Sequence, residues 1–495
     1  APAAATISSI RREPPPMISS TEMAVVDANA AALGVPRKQL MESSGNAVAR
    51  VVREVADPGA SVALVCGRGN NGGDAFVAAR FLSRYDVTVH LLGRPETIAT
   101  DIARENWDAL RSAGIDARRV GDSRAFDLGD PDVIVDAMLG TGVTGALREP
   151  EATAAGAIDA ADATVVAVDV PSGIDADTGE SEGPAVEADR VVTFHDDKPG
   201  LASVDAEVTV ADIGIPGAAE RVVERGDLLR LSRDPTAHKG EFGRVLVVGG
   251  GPYTGAPALA ARAALRAGAD LAYVACPETI AGEVQGYSED LIVRPLPGDR
   301  IAPSNVPDIL DTASGMDAVV FGPGLGDADA SLEAAAAFLE GFDGTAVVDA
   351  DALQVVPAVD TDATLVCTPH QGELEAMGGT TAVDPDERAA IVADFAADLG
   401  VTLLVKGAVD VISDGDRTRV NRTGNPGMTV GGTGDVLAGV TGAMACPLDP
   451  IHAAALGAYA NGRAGDTVVG EYGHGLVATD LFGAVPTALW PDGGN

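Results

Sequence analysis

The feature that most constrains the fold is a repeated alternation of two kinds of segment. Short runs of β-branched and aliphatic residues end at glycine or aspartate, and an alanine-rich stretch typical of a helix follows each. The apolar runs are 61–66, 87–92, 133–137, 164–168, 190–194 and 207–210, then 244–248, 271–275, 318–321, 346–348, 364–367 and 402–405. Strands that are apolar throughout are buried on both faces, which is typical of mostly parallel sheets between helices. The pattern predicts the α/β class for both halves of the chain.

The boundary between the halves is predicted from local content. Residues 213–216 close the last apolar run of the first half, residues 217–235 are rich in charge, and His238-Lys239-Gly240 opens the second half. A length of 495 residues is compatible with two large domains. We expect one domain at 17–227 and another at 228–495.

The charge of the chain restricts its partners. It has 34 Lys and Arg against 73 Asp and Glu, a formal net charge of −39, which argues against nucleic-acid and membrane partners. No apolar run is long enough to span a bilayer, and residues 1–16 lack the apolar core of a signal peptide, so we expect a cytoplasmic protein. The acid is spread along the chain, which favours a surface adapted to concentrated salt, that of a halophilic archaeon, over an ordinary acidic enzyme. Apolar faces on α/β domains are compatible with a homo-oligomer, and the sequence leaves the oligomeric state open.

The four cysteines, Cys66, Cys276, Cys367 and Cys446, lie far apart in the sequence. None belongs to a CxxC pair or to a Cys/His cluster with metal-ligand spacing. We expect buried, reduced thiols.

Glycine and polar residues follow the first apolar run, in the segment Gly67-Arg68-Gly69-Asn70-Asn71-Gly72-Gly73-Asp74, and a helix is expected from about residue 75. Glycines at such a turn let a ligand approach backbone N–H groups, although a tight turn alone would also explain a glycine pair. Two later strands end at Asp136 and Asp169, and the carboxyl ends of parallel strands share one edge of the sheet. Aspartate at a strand end is also a common helix cap, but three such ends on one edge favour a binding site.

The first half resembles the NAD(P)H-hydrate epimerase domain. The motifs that carry the resemblance are NNGGD at 70–74, Asp136 with GTGVTG at 140–145, DVPSGID at 169–175 and Lys198-Pro199-Gly200, within about residues 20–215. It implies a Rossmann-like three-layer sandwich, with Asp169 as the catalytic carboxylate and K⁺ bound by Asn71, Asp136 and Ser172. It also implies that the hydrated dinucleotide contacts Asn70, Asn71, Gly72, Gly73, Asp74, Gly140, Thr141, Gly142, Val143, Thr144, Gly145, Ala146 and Asp169. Ala75, where the family usually has Gly, is a mild departure.

The most informative segment of the second half is GNPGMTVGGTGD at 424–435, before an expected helix at 436–445. Glycine N–H groups ahead of a helix form an anion site suited to phosphate oxygens. Asp435 opens that helix, and a helix cap is the alternative interpretation, yet a carboxylate facing phosphate is costly unless it handles a proton. His370 ends a strand among polar residues, which favours a ligand contact over core packing. Lys406 ends another, and nucleotide phosphates and a structural ion pair suit it equally.

The second half resembles the ribokinase-like fold, and more closely the nucleotide-dependent NAD(P)H-hydrate dehydratase family, over about residues 230–490. The motifs are His238-Lys239-Gly240, Tyr253-Thr254-Gly255-Ala256, GPGLG at 322–326, DADAL at 349–353, PHQGE at 369–373, LVKG at 404–407 and the segment 424–435. The resemblance implies that the hydrate contacts Ala256, Gly324, His370 and the catalytic Asp435. It implies that ADP or ATP, with Mg²⁺, contacts Lys406, Gly407, Ala408, Val409, Asp410 and Gly434. Gln371 for the usual Pro, Thr429 for Ala and Asp410 for a hydroxyl residue are departures.

The resemblances together imply a bifunctional repair enzyme for hydrated NADH and NADPH. Two alternatives stay open at this point. The second half could be a vitamin-precursor kinase of the same fold, which would release a stable phosphorylated product. The first half could be a nucleotide-binding module without catalytic activity.

Overall fold

The computed structural model describes residues 17–142, 145–234 and 236–491. The chain divides into two compact units, the first ending at Gly217 and the second beginning at Ala218. This division precedes the boundary expected at 227/228, because the intervening residues pack within the second unit. Val222 pairs with Val420, and the buried carboxylate of Asp227 forms an ion pair with Arg419.

In the first unit, the described residues form a seven-stranded, all-parallel sheet in the order β3-β2-β1-β4-β5-β6-β7. Its strands are β1 (Ser61–Cys66), β2 (Asp86–Leu92), β3 (Asp116–Val120), β4 (Val133–Ala137), β5 (Thr164–Val168), β6 (Arg190–Phe194) and β7 (Glu207–Ala211). Its helices are α1 (Ser20–Ala32), α2 (Arg37–Val55), α3 (Asn70–Phe81), α4 (Asp101–Ser112) and α5 (Glu151–Asp159).

In the second unit, the described residues form a nine-stranded sheet in the order β10-β9-β8-β11-β12-β13-β14-β15-β16. Its strands are β8 (Arg244–Val248), β9 (Leu271–Pro277), β10 (Ile292–Leu296), β11 (Ala318–Phe321), β12 (Thr345–Val348), β13 (Thr364–Cys367), β14 (Thr402–Val405), β15 (Asp410–Ser413) and β16 (Thr418–Asn421). Its helices are α6 (Ala218–Arg221), α7 (Gly255–Arg266), α8 (Ala281–Gly286), α9 (Val306–Ala313), α10 (Asp329–Gly341), α11 (Gln371–Ala376), α12 (Pro385–Leu399), α13 (Thr433–Met444), α14 (Pro450–Tyr472) and α15 (Leu481–Leu489). Strand β15 is antiparallel to both of its neighbours, β14 and β16, and all other neighbouring pairs are parallel.

Helices cover both faces of the second sheet. Alternate residues of a strand point to opposite faces, and those of β8 divide between two cores. Val245 and Val247 belong to a core that includes residues of α7, α13, α14 and α15, whereas Leu246 and Val248 belong to one that includes residues of α9, α10 and α12. The first sheet shows the same alternation, since Val65 packs with α5 while its neighbour Leu64 is equally buried outside that core. The predicted α/β class and the parallel sheets are confirmed.

Each predicted apolar run coincides with a strand, but four strands had no prediction: β3, β10, β15 and β16. All four lie at or next to a sheet edge. Edge strands are partly exposed and therefore carry polar residues, as Asp116–Val120 does with its sequence DARRV. The pattern of continuous apolar residues found the central strands and one edge strand, β7, and it missed the other three edge strands.

No helix in the described ranges is long and apolar enough to cross a membrane. All four cysteines are free thiols, of which Cys66, Cys276 and Cys367 are buried and Cys446 is partly buried. Burial raises the pKa of the Cys367 thiol to about 12, with a smaller contribution from Asp349.

Candidate active sites

The glycine segment after β1 enters its helix earlier than expected. Helix α3 begins at Asn70, so residues 70–74 form its first turn instead of a loop before residue 75. The two glycines inside the helix allow close packing. A Cβ on Gly72 would lie 2.2 Å from the carbonyl oxygen of Gly67, and one on Gly73 would lie 2.7 Å from Cε of Met41. Gly72 and Gly73 therefore shape this end of the helix.

Asp169 follows β5 and has a left-handed backbone conformation, with φ 69°. Its Oδ1 accepts a hydrogen bond from Thr193 Oγ1 at 3.2 Å and lies 3.4 Å from Nζ of Lys198. The Lys198 side chain is fully buried, and its ammonium group donates to the carbonyl oxygens of Phe194 and Asp196 at 2.7 and 3.0 Å. The lysine is thus fixed in place and stabilises negative charge on Asp169.

A cavity of about 630 Å³ opens at the carboxyl ends of β1, β4 and β5. The predicted dinucleotide contacts that line it are Asn70, Asn71, Asp74, Gly140, Thr141, Gly142 and Asp169. Gly145 lies instead on a smaller neighbouring cavity of about 230 Å³ beside Ser172, Ala146 is exposed, and Gly72 and Gly73 line neither. Val143 and Thr144 lie outside the described residues. Asp27 of α1 and Arg37 of α2 line the larger cavity without having been predicted.

The carboxyl groups of this cavity are held in an unusual electrostatic environment. Burial, with the charges of Asp169 and Asp27, raises the pKa of Asp74 well above its usual value. Burial also raises the pKa of Asp27 to about 6, against the opposing effect of Arg37. Perturbed carboxyl groups that line one cavity are typical of acid–base sites.

The three predicted cation ligands lie together at the ends of β1, β4 and β5. Asp136 is fully buried and accepts from Ser172 N at 2.8 Å and from Ser172 Oγ at 2.7 Å. Asn71 Nδ2 donates to the carbonyl oxygen of Leu139 at 2.8 Å, whose own N–H donates to Ser172 Oγ at 3.1 Å. Burial raises the pKa of Asp136 to about 6, although the hydrogen bonds from Ser172 oppose this. Among the described residues, the buried Oδ1 of Asn71 has no donor.

In the second unit, α13 begins at Thr433 and its cap is Gly432, in a left-handed conformation with φ 95°. Asp435 therefore lies inside the first turn of the helix, earlier than the expected start at 436, and it is not the helix cap. Burial, and then the charge of Asp349, raise the pKa of Asp435 to about 7, while Lys406 lowers it and Glu373 raises it. Near neutral pH this carboxyl group exchanges a proton readily.

Lys406 forms the structural ion pair that was one of its two alternatives. Its Nζ lies 3.0 Å from Oδ1 of Asp349 and 3.5 Å from Oε2 of Glu373. Burial lowers the pKa of Lys406, but the two carboxylates outweigh this effect and raise it. His370 caps α11. Its side-chain Nδ1 accepts a hydrogen bond from the backbone N–H of Glu373 at 3.1 Å, and the backbone N–H of His370 donates to Oε2 of Glu373.

A second cavity, of about 710 Å³, opens between the end of β14 and the start of α13. The predicted contacts that line it are His370, Lys406, Gly407, Ala408, Asp410 and Gly434. Val409 does not line it, and its carbonyl oxygen accepts from Arg388 Nη1 at 2.7 Å. Asp410 accepts from Gly407 N and Asn421 Nδ2, both at 2.9 Å, and burial raises its pKa against these hydrogen bonds.

The other three predicted hydrate contacts do not line this second cavity: Ala256 lies in the first turn of α7, Gly324 follows β11, and Asp435 lies in the first turn of α13. A Cβ on Gly324 would lie 3.1 Å from Cβ of Ala256 and 3.0 Å from the carbonyl oxygen of Tyr253. Ala256 and Gly324 are therefore neighbours, and one ligand could contact both.

Sequence reasoning left several residues of these sites without a role. Lys198, Asp349 and Glu373 lie inside motifs that had been recognised, so the motifs were a sufficient signal for them. Asp27 and Arg388 lie within helices and follow neither a strand end nor a glycine turn. Only the packing of the helices reveals these two.

Comparison with known proteins agrees with the division into two units. A family model described as YjeF-related protein N-terminus matches residues 37–200, and one described as NAD(P)H-hydrate dehydratase matches residues 245–487. The bifunctional NAD(P)H-hydrate repair enzyme Nnr of Methanothermobacter thermautotrophicus is 43% identical over 497 residues, covering 96% of each chain. The enzyme of the same name from Archaeoglobus fulgidus is 44% identical over 476 residues, covering 95% of this chain and 98% of that one. A crystal structure of the ADP/ATP-dependent NAD(P)H-hydrate dehydratase from Bacillus subtilis, co-crystallised with ATP/Mg²⁺, is 26% identical with a TM-score of 0.48, covering 54% of this chain and 95% of that one. Because the identity to the two archaeal relatives extends over nearly the whole length of each chain, this protein belongs to the family of bifunctional NAD(P)H-hydrate repair enzymes.

Proposed function

We propose that the first unit interconverts the R and S forms of hydrated NADH or NADPH, and that the second unit dehydrates the S form with ADP or ATP. The observation that carries the proposal is that each unit has its own site with an aspartate, Asp169 after β5 in the first unit and Asp435 in the first turn of α13 in the second. The two activities complement each other, because a dehydratase specific for one epimer leaves the other unrepaired.

Epimerisation inverts C6 of the hydrated nicotinamide ring. The ring nitrogen can expel the C6 hydroxyl group as water when an acid protonates it, and water then adds to the other face and loses a proton to a base. Asp169 is the proposed proton-handling or charge-stabilising group, since Lys198 and Thr193 hold its carboxylate at the cavity wall. Asn70, Asn71 and the segment 140–142 are the proposed contacts of the dinucleotide.

The donor set at Asn71, Asp136 and Ser172 fits a potassium ion. Amide, carboxylate and hydroxyl oxygens are the ligands that hard cations prefer, and the buried Oδ1 of Asn71 is an acceptor without a donor in the described part of the chain. A bound K⁺ would supply positive charge beside the anionic dinucleotide. The residues themselves orient the loop after β4, through the hydrogen bonds of Ser172 and Asn71 to Leu139.

Dehydration requires the C6 hydroxyl group to become a better leaving group. Asp435 is the proposed base that takes the hydroxyl proton as the C6 oxygen attacks the terminal phosphoryl group of ADP or ATP. The leaving group is AMP when ADP is the donor and ADP when ATP is the donor. The C6–O bond then breaks with release of phosphate, driven by the ring nitrogen, and loss of a proton from C5 gives NAD(P)H. A pKa of about 7 suits this role, because the carboxylate is available at neutral pH while still basic enough to hold a proton.

The proposed nucleotide contacts are Lys406, Gly407, Ala408, Val409, Asp410 and Gly434. Free N–H groups at the start of α13 favour phosphate oxygens, and Mg²⁺ binds in proteins together with the phosphates that it neutralises. Arg388 maintains the shape of this loop through its hydrogen bond to the Val409 carbonyl oxygen. Ala256, Gly324 and His370 are the proposed contacts of the hydrate.

The test uses the full chain and a mixture of both hydrated epimers. With ADP and Mg²⁺, the absorbance of the reduced ring should return for the whole mixture, and K⁺ should accelerate only the slower part, which depends on epimerisation. Release of phosphate with NADH supports dehydration, whereas a persisting phosphomonoester would show a kinase. Recovery limited to the S form would contradict an active first unit.

We also infer that the acidic surface is an adaptation to concentrated salt. A charge of −39 opposes the binding of two polyanionic substrates, and salt screens this repulsion. Dehydratase activity should hold or rise in molar KCl, and a collapse there would contradict the inference. The dehydratase is the better reporter, since the proposed K⁺ site lies in the other unit.

A further inference from the structure

Three carboxyl groups that line the first cavity, those of Asp27, Asp74 and Glu151, have no part in the mechanism above. Asp27 lies on α1 and lines the same cavity as Asp74 of α3 and Asp169 after β5. Glu151 of α5 lines the cavity as well and lies 3.9 Å from Arg68, so four elements each bring one carboxyl group to it. Among the residues that the structure describes, Asp169 has a hydroxyl donor and a buried ammonium group beside it, whereas no hydrogen bond to the carboxyl group of Asp27 is present.

The charged groups that act on Asp27 come from α2 and from the segments after β5 and β6. Burial raises its pKa most, Arg37 of α2 lowers it, Asp169 raises it, and His195 and Lys198 after β6 lower it. Asp27 in turn raises the pKa of Asp74. Asp27 thus has a pKa of about 6, and it remains more accessible than the buried Asp74.

Epimerisation needs two proton-handling groups, as the reaction itself shows. A proton must reach the C6 hydroxyl oxygen as the C6–O bond breaks and the lone pair of N1 forms the N1=C6 double bond. Another must leave the water that adds to the opposite face of C6. No electron is gained or lost overall, and the water released balances the water added.

We propose that Asp27 is the second acid–base residue of epimerisation and works with Asp169 from another wall of the cavity. This inference rests on the proposed function of the first unit. Asp27 donates a proton to the leaving hydroxyl group, and Asp169 accepts a proton from the incoming water. After one turnover the two carboxyl groups have exchanged protonation states. That state is the one needed for the reverse inversion, so a single site serves both epimers.

The test compares Asp27→Asn with Asp57→Asn, which removes the same charge from an exposed loop of the same unit. Interconversion of purified R hydrate of NADH, without ADP, is followed from pH 5 to pH 9 in the full chain. We expect Asp27→Asn to lower kcat about 100-fold with KM within about threefold, and to remove the limb of the pH profile near pH 6. Asp57→Asn should match the unaltered chain.

The outcomes separate this inference from the function on which it rests. An unaltered chain that does not interconvert the epimers overturns the proposed function itself. An active unaltered chain, with Asp27→Asn of equal kcat and pH profile, overturns only the role of Asp27. If Asp27→Asn does not fold, Asp27→Glu tests the role of Asp27 instead. Retained activity with a displaced acidic limb supports the role, and an unmoved limb refutes it.

Discussion

The two units share one strand order but differ at one sheet edge and in the position of the cavity. In each, seven parallel strands take the order third, second, first, fourth, fifth, sixth and seventh, and the second unit adds β15 and β16, of which β15 is antiparallel to both of its neighbours. The first cavity lies where the order reverses, between β1 and β4, which is the usual ligand crevice of such sheets. The second cavity lies beside the added strands, away from the corresponding position between β8 and β11.

This difference fits the number of substrates proposed for each unit. Epimerisation involves one dinucleotide and needs one crevice. Dehydration brings a hydrate and a nucleotide together, and the proposed hydrate contacts Ala256 and Gly324 lie at the reversal point while the proposed nucleotide contacts line the cavity beside β15. The added strands therefore provide a second binding position on an otherwise similar sheet.

The lysines of the two sites also differ in their partners. Lys198 donates to two carbonyl oxygens and faces one carboxylate, Asp169. Lys406 lies between Asp349 and Glu373, so much of its charge is neutralised before it acts on Asp435. The first arrangement stabilises a fixed carboxylate, and the second leaves a carboxyl group with a pKa of about 7.

The largest effect that we expect is the loss of one activity while the other is unchanged. Asp435→Asn removes the proposed base and should lower the dehydratase kcat about 10³-fold, because amide oxygen is a poor proton acceptor. The measurement is the return of reduced-ring absorbance from purified S hydrate with ADP and Mg²⁺. The epimerisation rate of the same preparation is the control and should not change. Comparable losses in both activities would mean that the two sites are not independent.

A smaller effect is expected from the buried lysine of the first unit. Lys198→Met removes the cation beside Asp169 and one donor from each of the carbonyl oxygens of Phe194 and Asp196, so epimerisation should fall about 100-fold and the Tm should drop. Lys38→Met, which breaks an exposed ion pair with Glu105, should change neither by much. A lower Tm with normal epimerisation would make Lys198 structural only.

The pH dependence of dehydration should reveal the environment of Asp435. Below pH 7 its carboxyl group is protonated and cannot accept a proton, so kcat/KM should fall about tenfold per pH unit on the acidic side and level off above. Lys406→Met removes a cation that lowers this pKa, and the midpoint should move to higher pH. Lys38→Met again serves as the control. A midpoint that stays in place would show that Lys406 does not act on Asp435.

The sequence was most informative for the central parallel strands, whose side chains are buried along most of their length. Central strands such as Val133–Ala137 were predicted to the residue, because only apolar side chains fit between two layers of helices. The edge strand Asp116–Val120 was not, since its exposed side chains carry no such pattern. Motifs brought Asp169, Asp136, Ser172 and Asp435 to the strand and helix ends where the structure has them. Asp27 was beyond such reasoning, because its neighbours in the cavity are distant in sequence.

The start of α3 was predicted too late because glycines inside the helix were interpreted as a loop. The close packing at these glycines leads to the smallest effect that we predict. Glycines at 72 and 73 suggested a loop, yet they lie inside α3 because backbone and side chains of neighbouring elements approach them closely. Gly72→Ala should therefore lower stability by about 1–3 kcal/mol, since its Cβ would overlap the Gly67 carbonyl oxygen. Gly156→Ala, in α5 with nothing within 4 Å of the added Cβ, should raise stability by up to about 1 kcal/mol through helix propensity. Calorimetric unfolding of both variants measures the difference. Equal shifts of the same sign would mean that close packing does not require the glycine at the start of α3.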